Sequence, residues 1–561
     1  MMENRVLLGT SCVLALLAAL PAVAQQPSLE DRVRTLEQML GVPPPAGNQS
    51  LEDRVKAVED AHAQQNVQKE EADQMVRTRL STLEQQVAET TISIDNSRPT
   101  ISSADGRFQL SLRARIQFDG AFFSQDSNIN ATNAQFKDLA SGAIVRRFYF
   151  GAEGRAFRDF WYEFRMDFGG ANAEGNNAII NHARVAYNFG NLNNPNELHF
   201  RINAGIIQPL FTYGDSVSSS STTFIERGDV VNTTIAGYGG DDHRRGVELT
   251  FQQSDIFRPG DNLVLSSAFT GQPTTPPAGA PTNTTDEGTQ IVGRAAYRFW
   301  SDGFSNFQFG GNFAHIFNMT GTAVPGGARS VPLQDRPEIR VDGNRLVSTV
   351  NSTLLGSSAV AANIPERGGW LWGLEGGGNW RNFYLYGEYM KFGMDRDVMC
   401  TGCTPFGGTP GVNPGDPEFS GWYAEGSWIL TGESKTYSAF ATNNEMATFN
   451  NPRVITPFDW NGGSWGAWEI AARYSNLDFN WRPGVIGQTP AQAPVGGIRG
   501  GDEKIWTFGI NWYMNNNVLM RFNYLIVDVN KLGFVTTAGT TTLQEIGQNF
   551  SAHGLRLQFT N

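Results

Sequence analysis

Phe108-Gln109-Leu110-Ser111-Leu112-Arg113-Ala114-Arg115-Ile116-Gln117-Phe118-Asp119 is the stretch that decides the fold of this chain. Side chains alternate across an extended strand. Phe108, Leu110, Leu112, Ala114, Ile116 and Phe118 therefore share one face, and Gln109, Ser111, Arg113, Arg115, Gln117 and Asp119 share the other. In a soluble sandwich the greasy face would meet a core. In an outer-membrane barrel it meets lipid, and the wet face lines water.

Segments of the same kind recur near 106–119, 143–156, 160–169, 178–189, 197–208, 243–253, 261–270, 289–300, 304–317, 369–380, 382–393, 418–430, 465–478, 503–514, 517–529 and 551–559. That makes sixteen, an even number, as a closed bacterial barrel requires. Short connections fall around Arg158, at 190–196, 254–260 and 301–303, around Arg381 and at Asn515-Asn516. Long ones fall at 120–142, 209–242, 271–288, 318–368, 394–417, 479–502 and 530–550. Short turns on one side and long loops on the other are the barrel asymmetry. The connection 431–464 is long yet belongs to the short-turn side. Aromatic residues such as Trp161, Trp300, Trp380, Trp428 and Trp512 cluster near strand ends, where interfacial girdles need amphipathic rings.

Composition agrees. The 561 residues include 62 Gly and 11% aromatics, with only 17% charged side chains and a net charge of −12. Acidity argues against a nucleic-acid partner, and the aromatic content argues against disorder. Only Val6 to Leu20 approaches the roughly 20-residue apolar span of a membrane helix. Preceded by Arg5 and followed by Ala22-Val23-Ala24, it reads as a signal peptide over 1–24. Cys400 and Cys403 are then the mature chain's cysteines. They suit a small loop disulfide in an oxidising compartment, while a zinc site would need further ligands. No metal site, cofactor motif or nucleotide fingerprint stands out.

Residues 25–100 read as a periplasmic leader. Leu29, Val33, Leu36 and Leu40 are spaced 4-3-4, a coiled-coil seam, with Ser28 as N-cap and Gly41 as stop. The pattern restarts at Ser50-Leu51-Glu52-Asp53-Arg54-Val55, followed by Val58, and again at Val76, Leu80, Leu83 and Val87. His62, Gln65 and Lys69 fall near the seam, so the middle is expected to pack weakly or fray. Such narrow stripes predict bundling with copies of themselves. The expected architecture is thus an all-β transmembrane barrel of sixteen antiparallel strands over 101–561, preceded by an α-helical coiled coil.

The wet face is rich in arginine: Arg113, Arg115, Arg147, Arg155, Arg165, Arg184, Arg201, Arg294, Arg473 and Arg521. A guanidinium keeps its charge and presents a fixed fork of donors to carboxylate or phosphate oxygens, so a column of them favours anions in a pore. Asp119, Glu153, Glu163, Asp167, Glu248 and Glu469 share that face, so bracing of the wall is the competing reading for each arginine. The connection 209–242 either covers the mouth or folds inward as a constriction. Its candidates for touching solute are Tyr213, Asp215, Glu226, Arg227 and Asp229.

Five stretches carry a family resemblance: Val145-Arg146-Arg147-Phe148-Tyr149-Phe150-Gly151 through Phe168; Ala204-Gly205-Ile206-Ile207-Gln208-Pro209 with Thr223-Phe224-Ile225-Glu226-Arg227; Trp428-Ile429-Leu430-Thr431-Gly432-Glu433-Ser434; Gly466-Ala467-Trp468-Glu469-Ile470-Ala471-Ala472-Arg473-Tyr474-Ser475; and Gly509-Ile510-Asn511-Trp512-Tyr513. Through them, residues 105–561 resemble the phosphate-selective porin O and P family. The resemblance implies a trimeric sixteen-stranded porin whose third loop, here 209–242, narrows the pore. The chain departs from the lysine- and arginine-rich funnel of the phosphate-selective members, because it is acidic and poor in lysine.

The expected function is passive diffusion of small hydrophilic solutes across a bacterial outer membrane, with a preference for anions, phosphate-type anions among them. The expected partners are outer-membrane lipid, two further copies of the chain and small anionic solutes. The alternative is a tether whose coiled coil reaches the cell wall or a periplasmic partner. A barrel hydrolase would need a nucleophile beside a histidine, and none accompanies His182 or His199.

Overall fold

The computed structural model describes residues 28–43, 47, 49–88, 90–94, 98–125, 137–169, 179–190, 199–239, 243–273, 288–318, 333–349, 366–396, 415–440, 445–494 and 496–561. The expected signal peptide and Cys400 and Cys403 lie outside them. Two compact units divide at Thr90.

The first unit is helical. Helix α1 (Leu29–Leu40) begins at a capping box in which the Ser28 hydroxyl accepts from the Asp31 N–H and the Asp31 carboxylate accepts from the Ser28 N–H. It ends at Gly41, whose φ of 68° is a left-handed cap. Helix α2 (Leu51–Ala88) runs unbroken through His62, Gln65 and Lys69. His62, Gln65 and Lys69 are exposed, so the stretch packs weakly, the first of the two expectations. It does not fray, because the lapse in the seam is filled with good helix formers such as Ala, Gln, Glu and Lys. Val33 and Val58 are buried, and Arg54 reaches Glu37 at 2.7 Å. Leu29, Leu36, Val76 and Leu80 lie exposed along the predicted stripe.

The second unit is a closed antiparallel barrel. Its sixteen strands are β1 (Gln109–Gln125), β2 (Gly142–Ala156), β3 (Phe160–Asp167), β4 (Ile179–Phe189), β5 (His199–Ile207), β6 (Arg244–Ser254), β7 (Asn262–Pro273), β8 (Thr289–Ser301), β9 (Asn306–Asn318), β10 (Glu366–Trp380), β11 (Phe383–Arg396), β12 (Glu418–Ile429), β13 (Ala467–Trp481), β14 (Ile498–Tyr513), β15 (Val518–Asn530) and β16 (Asn549–Thr560). Each pairs with the next in sequence, and β16 closes on β1 from Phe550↔Gln125 to Thr560↔Arg115. The Asn561 side chain extends the seam by accepting from the Ala114 N–H at 2.6 Å. Every predicted strand is present.

Burial in β1 inverts that of a soluble protein. Leu110, Leu112, Ile116, Phe118 and Phe122 are exposed, whereas Ser111, Arg113, Arg115, Gln117 and Asp119 are buried. Charged side chains are seldom inside a soluble fold. The inversion repeats around the barrel and marks a lipid-facing exterior.

The interior is layered. Toward the short turns and at mid-height the inward residues are mostly polar or charged. Toward the long loops they become apolar, as at Met390, Phe392 and Met394 of β11, Leu477 and Phe479 of β13, and Leu525, Val527 and Val529 of β15. These pack in one core with Val230, Val231, Ile235 and Tyr238 of the β5–β6 connection and with Leu333, Ile339, Leu346 and Val347 of the β9–β10 connection. The lumen is therefore not uniformly wet, because two connections fold into it and bury its outer half.

The long connection on the short-turn side also turns inward. Its segments Lys435–Ser438 and Thr448–Pro452 pair as a hairpin. Met446 and Ala447 at its tip pack with Leu210, Val264 and Ala296. Residues 98–103 enter at the same end: Thr100 pairs opposite Ser111, and Arg98 meets Glu153 at 2.9 Å.

Candidate functional site

The connection from β5 to β6 folds inward among the barrel's buried side chains. Tyr213, Asp215, Glu226, Arg227 and Asp229 are all buried within it. The short helix Tyr213–Ser216 is fastened by Glu388 of β11, whose carboxylate accepts from the N–H groups of Tyr213 and Gly214 at 2.8 and 2.9 Å. The Tyr213 hydroxyl meets that of Tyr384 at 2.8 Å. Burial pushes the Tyr213 phenol well above its ordinary pKa. Arg227 ties the loop to itself, donating to the Gly214 carbonyl at 2.7 Å and standing 3.7 Å from Asp215. Asp229 accepts from the Glu338 N–H at 3.1 Å. Burial, with the Glu503 carboxylate nearby, pushes the Asp229 carboxyl well above the carboxylate range.

Glu226 is the loop's main electrostatic anchor. Its carboxylate accepts from Arg146 at 2.7 and 3.2 Å and from Arg556 at 2.9 Å, with Arg147 at 3.8 Å. Burial alone would raise its pKa, but these three cations outweigh it and hold the carboxyl well below the usual range. Arg146 was not legible from alternation, which places it on the lipid side beside Arg147. A bulge breaks the β1–β2 register between Gln117↔Arg147 and Phe118↔Val145, and the extra residue, Arg146, turns inward. Arg556, by contrast, follows the alternation rule between Leu555 and Leu557 and was open to the same reading as its neighbours. It is fully buried and also forms a bidentate pair with Asp119 at 2.6 Å.

The ten predicted arginines separate by partner. Arg113 meets Glu153 at 2.7 Å, Arg184 meets Glu163 at 2.6 Å, Arg294 meets Glu375 at 2.7 Å and Arg473 meets Glu338 at 2.5 Å. These four brace walls or inward loops. Arg165 donates to Asn181 and His182 at 2.7 Å and stands 3.6 Å from Glu163. Arg147 donates to Gln117, Arg201 is buried in β5, and Arg155 is half-buried near the short-turn end. Arg521 donates to the Ser220 carbonyl at 3.1 Å. Arg115 forms no ion pair among the described residues. Its two terminal nitrogens donate to the hydroxyls of Ser218 and Ser219 at 2.8 and 2.7 Å, and its plane lies 5.3 Å from the Tyr149 ring.

These groups converge on a cavity between the loop and the wall of β1–β4, lined by Arg113, Arg115, Arg147, Arg165, Arg184 and Arg227, with Glu163, Asp215 and Glu445 as its acids. Ser216, Ser218 and Ser219 of the loop line it as well. A second cavity lies on another side of the loop, where Tyr213, Tyr384, Tyr423 and Phe449 meet Glu425, Lys435 and Arg473. Acids concentrate on that wall: Glu375, Glu388, Glu425, Glu469 and Glu503 come from the consecutive strands β10 to β14. The inward hairpin closes this side. Lys435 pairs with Glu469 at 3.0 Å, and Arg294 grips the carbonyls of Met446 and Ala447 at 3.0 and 2.9 Å. Asn451 of the hairpin reaches the Ser220 carbonyl at 2.9 Å, so elements entering from opposite ends of the barrel touch.

Residues 111–560 match the family model described as phosphate-selective porin O and P. Porin O of Pseudomonas aeruginosa is 23% identical over 449 residues, covering 77% of this chain and 86% of that protein. Among solved structures, the anion-selective porin from Comamonas acidovorans aligns with a TM-score of 0.41 at 11% identity, over 81% of this chain and all of that one. OmpT of Vibrio cholerae aligns with a TM-score of 0.42 at 8% identity, over 81% of this chain and 98% of that one.

Proposed function

The chain belongs to the phosphate-selective porin O and P family and is an outer-membrane porin, a channel rather than an enzyme; from that premise we propose that it passes small hydrophilic solutes with a preference for anions of the carboxylate or phosphate type. The observation that carries the preference is Arg115. It is a buried guanidinium held by neutral hydroxyls, in a cavity where six arginines meet three acids. An anion entering there replaces the serine hydroxyls as acceptor, gaining a charge-assisted bond, and leaves when the serines take the donors back. The bracing arginines contribute field without being displaced. Acids on the facing wall keep the field transverse, so that an anion tracks along β1–β4.

Reversal potential across a planar bilayer under a salt gradient tests this. The wild type is expected to select chloride, phosphate or small carboxylates over potassium, and Arg115→Ala to lose much of that preference while still conducting. Cation selectivity in the wild type would overturn the anion preference.

The exposed stripe of Leu29, Leu36, Val76 and Leu80 supports a leader that bundles with its copies in a homotrimer after removal of residues 1–24. It also supports a second role, tethering to the cell wall or a periplasmic partner. Deleting residues 26–95 separates these roles. Unchanged conductance with a leaky envelope is the outcome expected of a tether, and an intact envelope would count against it.

A further inference from the structure

Residues 455–466, which complete the connection between β12 and β13, form a small aromatic hairpin that the pore does not use. Asp459 and Ser464 exchange backbone hydrogen bonds at 3.1 and 3.2 Å, and the Asn461 N–H donates to the Asp459 carboxylate at 3.0 Å. The base is pinned to the barrel by the Phe458 N–H, which donates to the Met514 carbonyl at 2.6 Å. The hairpin is therefore ordered, yet it displays its apolar residues: Ile455 and Trp460 are 77% exposed and Trp465 57%.

Its position says what it faces. In β13 and β14 the inward residues are Glu469 and Asn511, so Trp468 and Trp512 project outward. They stack at 5.2 Å, and both indole N–H groups donate to the Trp465 carbonyl, at 3.1 and 2.7 Å. Phe458 packs edge-on against Trp512 at 5.2 Å, and Trp460 lies 6.2 Å from Trp465. The five rings thus lie on the outer side of the wall at its short-turn rim. There they continue an outward aromatic row that already holds Trp380 and the stacked pair Phe383 and Trp428. No lysine or arginine falls within 455–466.

We propose that this hairpin is a lateral membrane anchor, whose Trp460 and Trp465 insert at headgroup level into the phospholipid leaflet on the short-turn side. The occupant follows from continuity with the lipid-facing belt, and from indole chemistry. Trp prefers the interface, where its ring is half solvated. Here the inner pair has its N–H groups satisfied by protein, so no polar atom of those two indoles is left unpaired toward the lipid.

The test places a nitroxide at Asn461→Cys, which leaves all five rings in place, in the full chain with Cys400→Ser and Cys403→Ser. The protein is reconstituted in vesicles of phosphatidylcholine and phosphatidylglycerol. A control label at Thr537→Cys sits at an exposed turn of the β15–β16 connection. Collision with oxygen relative to a water-soluble nickel chelate is expected to be severalfold higher at 461 than at 537, and to fall toward the control when Trp460 and Trp465 are both changed to Ser. A water-like ratio at 461 in the intact hairpin would overturn the proposal. So would a label shielded from both reagents and broadened by a second spin, which would assign the surface to another copy of the chain. Should the double variant fail to assemble, the ratio in the intact hairpin decides alone.

Discussion

At the residue scale, the charge map of the lumen was readable and its pairing was not. Strict alternation located nine lumen arginines and Arg115 without any structure, but it does not say which carboxylate faces which guanidinium. Partners come from strands and loops far apart in sequence, as with Arg473 of β13 and Glu338 of the β9–β10 connection. Glu226 is the sharpest test of that pairing. Glu226→Gln strands Arg146 as a buried cation and leaves Arg556 with the Asp119 carboxylate alone, a loss of about 3 kcal/mol. It is expected to lower the thermal stability of the barrel and to raise current noise at neutral pH. The pH dependence has a definite sign. The folded carboxyl titrates below the ordinary value of 4.5, so its contribution is complete above 4.5 and is lost only as the pH falls through the lower folded value. Single-channel noise in the wild type should therefore stay flat through mild acid and rise only in stronger acid.

At the scale of elements, strands and their alternating turn lengths were legible because lipid on one side and charge on the other force a period of two. The inward segments were not. The 431–464 connection announced itself only by being too long for its side, and the β9–β10 connection gave no sign that residues 333–347 enter the lumen. Both are held by ion pairs, hydrogen bonds and apolar contacts to residues distant in sequence, which leave no periodic trace. Replacing 436–451 by a short turn is expected to increase single-channel conductance severalfold, since it removes the mass that Arg294 and Gln308 hold in the lumen. An unchanged conductance would mean that solute never passes that way. The glycine run Gly376–Gly378 of β10 reads in sequence as close packing or barrel curvature, and at Gly377 the packing is close: its φ is +152°, and a Cβ there would stand 2.2 Å from the Leu385 carbonyl oxygen. Gly377→Ala should cost at least about 1 kcal/mol, measurable as a lower melting temperature in heat-modified electrophoresis.

At the scale of the whole molecule, the barrel and leader are separate designs. Half of each strand serves lipid and half serves the lumen, which is why the overall composition looks neither soluble nor membranous. The Ser28 cap is closed by Asp31 of the same helix, so Ser28→Ala should cost about 1 kcal/mol of helix stability, visible in the circular dichroism of the leader and silent in conductance. Introducing Leu80→Asp into its exposed stripe should abolish self-association of an isolated leader in sedimentation. The seam between β1 and β16 has a consequence of another kind. It joins positions such as Asp119 and Arg556, 437 residues apart, so the first strand waits for the last to be synthesised before either has its second neighbour. Contacts of such separation are slow to form. Until they do, both edges offer unpaired backbone to any other chain. Assembly is therefore all-or-none at its final step, and a polypeptide released even one strand early remains an open sheet, fit for chaperones and proteases but not for the membrane.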